Sequence, residues 1–330
     1  MSNDFIIQTQ NLSKQFGDAT AVHDISLSIP PGTILGFIGP SGCGKTTTMR
    51  LLLGIYDPTA GEATILGHAP LAFTQDDRER IGYMPQLFVL YPELSVRENL
   101  NFVASLYGVP LRRQERLRAL LDLVELTGHE RKLARNISGG MQRRLSLAAA
   151  LVHDPELIFL DEPTAGIDPL LRRKLWDHFQ QLKAEGRTLF VTTQYVGEAA
   201  YCDYVAVMHN GRLLMVETPT DLRRRALGGD VILIQPEHPL TLNQIDQLRQ
   251  QAFVLANGLT VNRDNSLEVV VDDASSTLPI LLNWIEDQGI AIQTAQEYNP
   301  PFDDIFVRLI EKEEVLSNVV DRQLMSSVQR

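Results

Sequence analysis

The sequence is poor in cysteine and contains no long apolar run. Its only cysteines are Cys43 and Cys202, too few for a disulfide framework or a zinc cluster, which favours a reducing compartment. No stretch approaches the roughly 18 consecutive apolar residues that a transmembrane helix needs. The first residues, MSNDFIIQTQ, have neither the basic nor the apolar segment of a signal peptide. We therefore expect a protein that is soluble by itself, so that any role at a membrane requires a partner.

Positive charge is also scarce. Thirty Lys and Arg residues stand against 41 Asp and Glu residues, which gives a net charge of −11. An acidic surface repels phosphate backbones, so we expect no general binding of nucleic acid. The 330 residues, 44% of them hydrophobic, suffice for one large domain or two smaller ones.

The first two thirds of the chain alternate strand-like and helix-like patterns. Residues 34–39, 156–162 and 188–193 have the composition of strands that are buried on both faces. Residues 145–153 and 170–186 have helical spacing, and Gly186 is a typical helix stop. Strands that alternate with helices predict an α/β fold around a parallel sheet.

Two turn signals organise the rest of the chain. Asn210-Gly211 separates two short apolar runs and predicts a β-hairpin. Prolines, a basic cluster and paired glycines over residues 218–230 predict a domain boundary. The resulting division is a first domain over 1–225 with a helical subdomain at about 88–155, a small second domain over 226–314, and a polar tail over 315–330.

The second domain has the predicted order βαββαβ, which is typical of a ferredoxin-like α+β fold. The expected strands are 231–235, a strand around 253–257, 266–273 and 291–296, and the expected helices are 242–251, 278–288 and 302–314. In the second of these helices Leu278, Leu281, Leu282 and Ile285 share one face.

A phosphate-binding loop is the strongest chemical signal. The run GPSGCGKTT follows a strand and precedes a helix, and it fits the pattern G-x-x-x-x-G-K-[ST]. Backbone N–H groups of such a loop point at phosphate oxygens, the lysine reaches the β- and γ-phosphates, and the first threonine can hold Mg²⁺. The phosphate-binding candidates are Gly39, Pro40, Ser41, Gly42, Cys43, Gly44, Lys45, Thr46 and Thr47. We interpret Cys43 as a tolerated small residue and not as a nucleophile, because no specific basic partner is evident.

Two further motifs complete a nucleotide site. Asp161 emerges at the end of the strand LIFLD, where it can coordinate Mg²⁺, and Glu162 can act as a general base on the attacking water. In ISGGMQRR, Ser138 can cap a helix, and Gly139 and Gly140 keep the approach free of side chains. This second anion-binding helix end can serve the same phosphate only if two chains meet head to tail.

These motifs together resemble the ATP-binding subunits of ABC transporters, over roughly residues 5–220. The phosphate loop, SGG signature and acidic strand end occur in that family's order, with Gln86 in GYMPQ as the Q-loop and AGID at 165–168 as the D-loop. The segments LYPELSVRENLNFVASLYG and NPPFDDIFVRL are similar to the daunorubicin-resistance branch, whose members serve exporters of drugs, lipids or polysaccharides.

The resemblance implies a P-loop ATPase that uses ATP and Mg²⁺. It implies that Phe16 stacks on adenine and that Gln86 contacts Mg²⁺ and the water. The catalytic residues that it implies are Lys45, Gln86, Glu162 and Gln194. A core position for Phe16 is the alternative.

The same resemblance implies two kinds of partner and a place in the cell. A second ATP-binding subunit would complete the dimer, and a membrane permease would dock near residues 86–98, where Ser95 and Glu98 form a capping box. The unusually apolar residues 87–91 would form this dock, or would pack under the helical subdomain. The protein would then lie on the cytoplasmic face of the cell membrane.

Two residues depart from the family pattern. Met141 stands where a glutamine is usual, and Gln194 stands at the position of the switch histidine. An amide keeps hydrogen-bonding capacity but takes no positive charge near neutral pH, so we expect slower hydrolysis. A regulatory module that does not hydrolyse ATP, or a soluble ATPase that acts on ribosomes or DNA, remains as an alternative.

Overall fold

The computed structural model describes residues 4–256 and 258–311. One compact unit extends to Thr218, and a second begins at Pro219. The division therefore lies a few residues before the boundary expected from the sequence at 225/226.

The first unit contains a parallel sheet, an antiparallel sheet and their helices. Its strands are β1 Ile7–Phe16, β2 Ala19–Ile29, β3 Ile34–Ile38, β4 Ala60–Ile65, β5 Ile81–Met84, β6 Leu157–Asp161, β7 Thr188–Thr193, β8 Tyr204–His209 and β9 Arg212–Glu217. Its α-helices are α1 Lys45–Leu52, α2 Gln75–Glu79, α3 Val96–Leu106, α4 Gln114–Leu123, α5 Gly139–Leu151 and α6 Pro169–Ala184, and short 3₁₀ turns span Pro70–Ala72, Ala134–Asn136 and Val196–Tyr201.

The larger sheet has the order β5-β6-β7-β3-β8-β9. Its first five strands pair in parallel, while β9 runs antiparallel to β8 across the predicted Asn210-Gly211 turn. Both turn residues have positive φ, 47° and 78°, as a two-residue hairpin turn requires. The sequence prediction of a parallel, covered sheet is therefore confirmed, because every residue of β3, β6 and β7 is buried.

Local signals set the helix ends. The predicted capping box starts α3, since Ser95 accepts from the Glu98 N–H while the Glu98 carboxylate accepts from the Ser95 N–H. Helix α6 starts at the Asp168 cap, and Gly186, with φ 90°, follows its end as predicted. The three helices α3, α4 and α5 lie between β5 and β6 in the chain, as the predicted helical subdomain does.

The second unit is an α+β domain. Its elements are α7 Pro219–Leu227, β10 Asp230–Pro236, α8 Leu242–Arg249, β11 Leu259–Val261, β12 Leu267–Val271, α9 Ala274–Asp287 and β13 Ile292–Tyr298, followed by helical residues 302–311. From β10 to β13 the order is βαββαβ, and the antiparallel sheet has the order β11-β12-β10-β13. The predicted ferredoxin-like fold is therefore confirmed. The last residues of the predicted helix 302–314 and the predicted tail 315–330 lie outside the described residues.

Two details of the second unit differ from the sequence prediction. The strand expected around 253–257 lies instead at Leu259–Val261, where it pairs with β12. Phe253 and Val254 pack against the core without strand pairing, so burial alone explains their apolar character. On α9, Leu281 and Ile285 are buried, whereas Leu282 is exposed and does not share their face.

Candidate nucleotide site

The carboxyl ends of three adjacent parallel strands meet at one edge of the large sheet. Strand β7 lies between the phosphate-loop strand β3 and the acidic strand β6, with Ile38 beside Thr193 and Asp161 beside Thr192. Gln194 follows β7 directly. The structure thus confirms that Gln194 ends a strand next to those that carry the phosphate loop and the acidic pair.

Two glycines of the phosphate loop allow close backbone approach. A Cβ atom at Gly39 would lie 2.2 Å from the Met208 carbonyl oxygen, and one at Gly44 would lie 2.4 Å from the Ala21 carbonyl oxygen. Gly44 also has a φ of 111°, which side-chain-bearing residues rarely adopt. The loop therefore needs glycine at both positions.

Lys45 is the first residue of helix α1, and its side chain hydrogen-bonds to carbonyl groups of the phosphate loop. Its Nζ atom donates to the Gly39 carbonyl at 2.7 Å and to the Pro40 carbonyl at 3.0 Å. Lys45 is buried, so these carbonyl contacts compensate its charge. Of the other predicted loop residues, Pro40, Ser41 and Gly42 are exposed and Thr47 is half-buried.

Cys43 lies within the hydrophobic core beneath the loop. Burial raises the pKa of its thiol, which keeps the thiol protonated at neutral pH. This environment fits a small packing residue better than a nucleophile.

Oxygen atoms gather around Asp161 at the start of α1. The Thr46 hydroxyl donates to an Asp161 carboxylate oxygen at 2.9 Å, and the Thr192 hydroxyl donates to the other at 2.5 Å. Asp161 is fully buried, so these hydroxyl groups compensate its negative charge. A carboxylate beside a hydroxyl is the donor set that Mg²⁺ takes in nucleotide sites, where phosphates supply further oxygen ligands. In the ranges 4–256 and 258–311 no cluster of three or more His, Cys, Asp or Glu side chains could hold a metal.

Glu162 is the point where the site residues converge. Its backbone is left-handed, with φ 51°, and its N–H donates to the Thr192 carbonyl and hydroxyl oxygens, each at 3.0 Å. The side-chain amides of Gln86 and Gln194 donate to the same carboxylate oxygen, Oε2, at 3.2 and 3.3 Å. A strained backbone at a buried acid is typical of functional sites. The structure therefore brings Gln86, Glu162 and Gln194 together next to Asp161.

Comparison with known proteins matches this arrangement to one family. The sequence profile of the ABC transporter family matches residues 22–165. A daunorubicin resistance ATP-binding protein from Streptomyces coeruleorubidus is 34% identical over 310 residues, which are 93% of this chain and 96% of that protein. The chain belongs to the ABC transporter ATP-binding family. Members of this family are ATP-hydrolysing subunits that work as dimers with membrane permease components.

Other relatives share the ATP-binding core. Nod factor export ATP-binding protein I from Cupriavidus pinatubonensis is 38% identical over 253 residues, 76% of each chain. The probable multidrug ABC transporter ATP-binding protein YbhF from Escherichia coli is 34% identical over 250 residues, which are 76% of this chain but only 41% of that protein. This chain thus spans less than half of YbhF.

A solved cassette has the same fold. The dimeric, post-hydrolysis structure of the ATP-binding cassette MJ0796 with ADP and Pi has a TM-score of 0.60 and 26% identity, and the match covers 64% of this chain and 98% of that one.

The ABC signature residues lie apart from the phosphate loop of the same chain. The Ser138 hydroxyl caps α5 by accepting from the Met141 N–H at 3.2 Å. A Cβ atom at Gly139 would contact nothing within 4 Å, so the helix end is open, as the sequence predicts. Among the described residues no hydrogen bond joins 138–140 to 39–47.

Phe16 ends β1 as a largely exposed ring. Its side chain is 45% exposed, which rules out the alternative of a core position. The ring packs edge-on against Tyr56 with centroids 5.4 Å apart, and the Lys14 ammonium lies 5.1 Å from its centroid. The ring is therefore held by its neighbours but can still stack on a planar ligand.

The apolar segment 87–91 is a surface and not a buried element. Leu87, Val89 and Tyr91 are 72%, 66% and 51% exposed. The alternative of ordinary packing is wrong for these three side chains, whereas Phe88 and Leu90 are half-buried.

Two residues of the site were missed by sequence reasoning. Thr192 contacts both Asp161 and Glu162, and the Arg143 Nε atom donates to the Glu162 carbonyl at 3.0 Å. A hydroxyl within a buried strand must find a partner, so Thr192 carried a usable signal. Arg143 carried none, because its role depends on how α5 packs against β6.

Proposed function

We propose that this chain binds ATP with Mg²⁺ and hydrolyses it between two ATP-binding subunits, and that hydrolysis drives a separate membrane permease. The observation that carries the proposal is the pair of amide groups, from Gln86 and Gln194, that meets the Glu162 carboxylate beside Asp161. These four residues and the phosphate loop supply the positioning and charge that phosphoryl transfer needs.

Each residue has a specific role in the proposed reaction. The loop amides and the Lys45 ammonium hold the phosphates. The Thr46 hydroxyl and Asp161 would hold Mg²⁺, with Gln86 close by, and Mg²⁺ supplies positive charge to the phosphate oxygens when bound. Glu162 takes a proton from the attacking water as the water oxygen bonds to the γ-phosphorus, and the bond from that phosphorus to the bridging oxygen breaks so that ADP leaves. Gln194 orients the Glu162 carboxylate and hydrogen-bonds the γ-phosphate.

The dimer places a second chain's signature motif on the nucleotide. Ser138, Gly139 and Gly140 form an open helix end that attracts anions, and a head-to-tail partner would present it to the γ-phosphate. Phe16 would stack on the adenine ring. The dimeric relative bound to ADP and Pi supports this arrangement.

Replacing Glu162 by Gln tests the proposal. The substitution keeps the shape and removes the base, so we expect ATP binding to persist while turnover falls about 10²- to 10⁴-fold. The control is Glu115→Gln, which neutralises an exposed carboxylate on α4. Full turnover in Glu162→Gln would show that Glu162 is not the general base.

The permease would dock on residues 86–98, through the exposed side chains of Leu87, Val89 and Tyr91. The names of the daunorubicin, Nod factor and multidrug relatives support an exporter, and we propose that its cargo is a drug, a lipid or a polysaccharide. The chain would then work at the cytoplasmic face of the cell membrane, where ATP is available.

Membrane recruitment tests this surface. We expect Leu87→Ser with Val89→Ser to reduce the fraction of the protein that sediments with membranes containing the permease, while the ATPase rate of the free chain is kept. Leu242→Ser, at an equally exposed leucine of the second unit, is the control. Equal membrane recovery of all three proteins would contradict the docking site.

One observation favours a second candidate function. Gln194 carries no charge near neutral pH, so the chain could instead be a weakly hydrolysing regulatory subunit that switches on ATP binding. The two functions differ in one measurement: a regulatory subunit would retain permease control in the Glu162→Gln variant, and a driving subunit would lose it.

A further inference from the structure

A basic cavity of about 450 Å³ opens on the helical subdomain. It lies between the first turn of α3, one face of α4 and residues 128–132, which lead to the signature motif. Its floor is apolar, formed by the buried side chains of Leu117 and Leu121. Its size falls within the range of small-molecule sites.

Backbone hydrogen bonds hold the walls in place. The Val96 N–H donates to the Lys132 carbonyl at 2.9 Å, and the Arg97 N–H donates to the Glu130 carbonyl at 3.0 Å. The segment 128–132 is thereby fixed against α3, so the cavity is already formed in the free chain.

Four cationic side chains and one carboxylate line this cavity. Arg97, Arg118, Arg131 and Lys132 are exposed side chains, and within the described ranges none of them forms an ion pair or a side-chain hydrogen bond. The Gly128 N–H donates to the Glu130 carboxylate at 3.0 Å and lowers its pKa, so Glu130 remains ionised and offsets one positive charge.

Two other arginines of the same subdomain have structural partners. Arg113 donates to Asn101 and to the Val109 carbonyl, and Arg116 donates to the carbonyls that end α5. The cavity arginines lack such partners, although the whole chain carries a net charge of −11. Like charges that share a concave surface repel each other, and a bound anion would relieve that repulsion.

We propose that this cavity binds a multivalent phosphate-bearing anion. The arginine side chains would donate hydrogen bonds to its phosphate oxygens, above the floor formed by Leu117 and Leu121. Guanidinium groups match phosphate geometry in pairs, and the apolar floor accommodates a non-polar part of the ligand. The anion comes either from a phosphorylated lipid headgroup or from a soluble polyphosphate. The proposal concerns a site separate from the phosphate loop and does not depend on ATP hydrolysis.

Binding to the full chain tests the proposal with two probes. Inorganic pyrophosphate, titrated by calorimetry without nucleotide because ADP is itself a phosphate-bearing anion, represents the soluble source; any binding at the phosphate loop is common to the wild type and both variants. Phosphatidylcholine vesicles with and without phosphatidic acid, assayed by co-sedimentation, represent the lipid source. The test variant is Arg118→Gln with Arg131→Gln. The matched control is Arg112→Gln with Arg135→Gln, which removes the same charge from exposed arginines outside the cavity lining.

We expect one probe to bind and the test variant to weaken its affinity about tenfold or more, with the control within twofold of wild type. Equal thermal melting of both variants would show that the fold is kept. Failure of both probes to bind, or equal losses in test and control variants, would overturn the proposal. Loss of permease association in the test variant alone, with neither probe bound, would assign the cavity to an acidic protein segment and would also overturn it.

Discussion

Gln194→His is the substitution that addresses the unusual residue of this ABC site most directly. The amide of Gln194 donates to Glu162 Oε2 over 3.3 Å, beyond the usual 2.7 to 3.2 Å for such a bond. Gln194 is exposed to solvent, so its replacement needs no repacking of the core. An imidazole at this position can also donate, and below its pKa it adds a positive charge near the γ-phosphate.

The size of the effect follows from the weak amide bond. A long hydrogen bond from a neutral donor contributes about 0.5 kcal/mol, and a bond from a charged donor to the same carboxylate is roughly twice as strong or more. A gain of about 0.5 to 1 kcal/mol in the transition state raises turnover about two- to fivefold. Since the ordinary histidine pKa is about 6.5, the gain should be greatest near pH 6 and shrink toward pH 9.

The assay is steady-state ATP turnover of wild type and variant from pH 6 to pH 9. The control is Gln247→His, which makes the same chemical change on the exposed surface of α8 in the second unit. Equal turnover of wild type and Gln194→His across the whole range would refute the reasoning, because residue 194 would then lie outside the rate-determining group of residues.

Three further predictions test the site and the fold. Thr192→Val removes the hydroxyl that contacts Asp161 and the Glu162 N–H. We therefore expect the free energy of unfolding, measured by urea titration, to fall by about 1 to 3 kcal/mol. Unchanged stability would mean that the buried Asp161 carboxylate finds another donor. Phe16→Ala should weaken ATP binding about two- to tenfold in a nucleotide titration, because an aromatic stack contributes about 0.5 to 1.5 kcal/mol. Phe16→Tyr should keep the wild-type affinity. Equal ATP affinities of wild type and Phe16→Ala would show that Phe16 does not contact the adenine. The backbone N–H and hydroxyl of Thr74 lower the Asp77 pKa to about 2, so the ionised Asp77 stabilises the fold fully above about pH 4, and this contribution is lost as the pH falls toward 2. The difference in melting temperature between wild type and Asp77→Asn should therefore narrow from pH 5 to pH 3. A constant difference would contradict the role of the Asp77 charge.

Features that depend on neighbouring residues in the chain were predictable from the sequence. The Ser95–Glu98 capping box, the Gly186 helix stop and the Asn210-Gly211 hairpin all appear as predicted. Each arises from a few consecutive residues that satisfy their own backbone groups. The phosphate loop belongs to the same class, because its glycine spacing sets the backbone path.

Features that depend on which strands pair, or on how deeply a residue is buried, were less predictable from the sequence. The apolar run at 253–256 has strand composition, but it packs as irregular chain while Leu259–Val261 takes the edge position. Pro219 begins α7, a helix that buries Leu222 and Ala226 in the second unit, whereas its proline and basic residues resemble a linker. Composition reports that a residue is buried, but not which partner buries it.

The sequence by itself determined the family, the βαββαβ accessory domain and the identity of the phosphate-loop residues, because these rest on local spacing. Only the tertiary structure decided that β7 lies between β3 and β6, and hence that Gln194 and Gln86 meet on one oxygen of Glu162. The physical reason is that parallel strands far apart in the chain end at one edge only after the sheet order is set. The same holds for the basic cavity, whose cations come from three separate segments that the packing of α3 and α4 brings together.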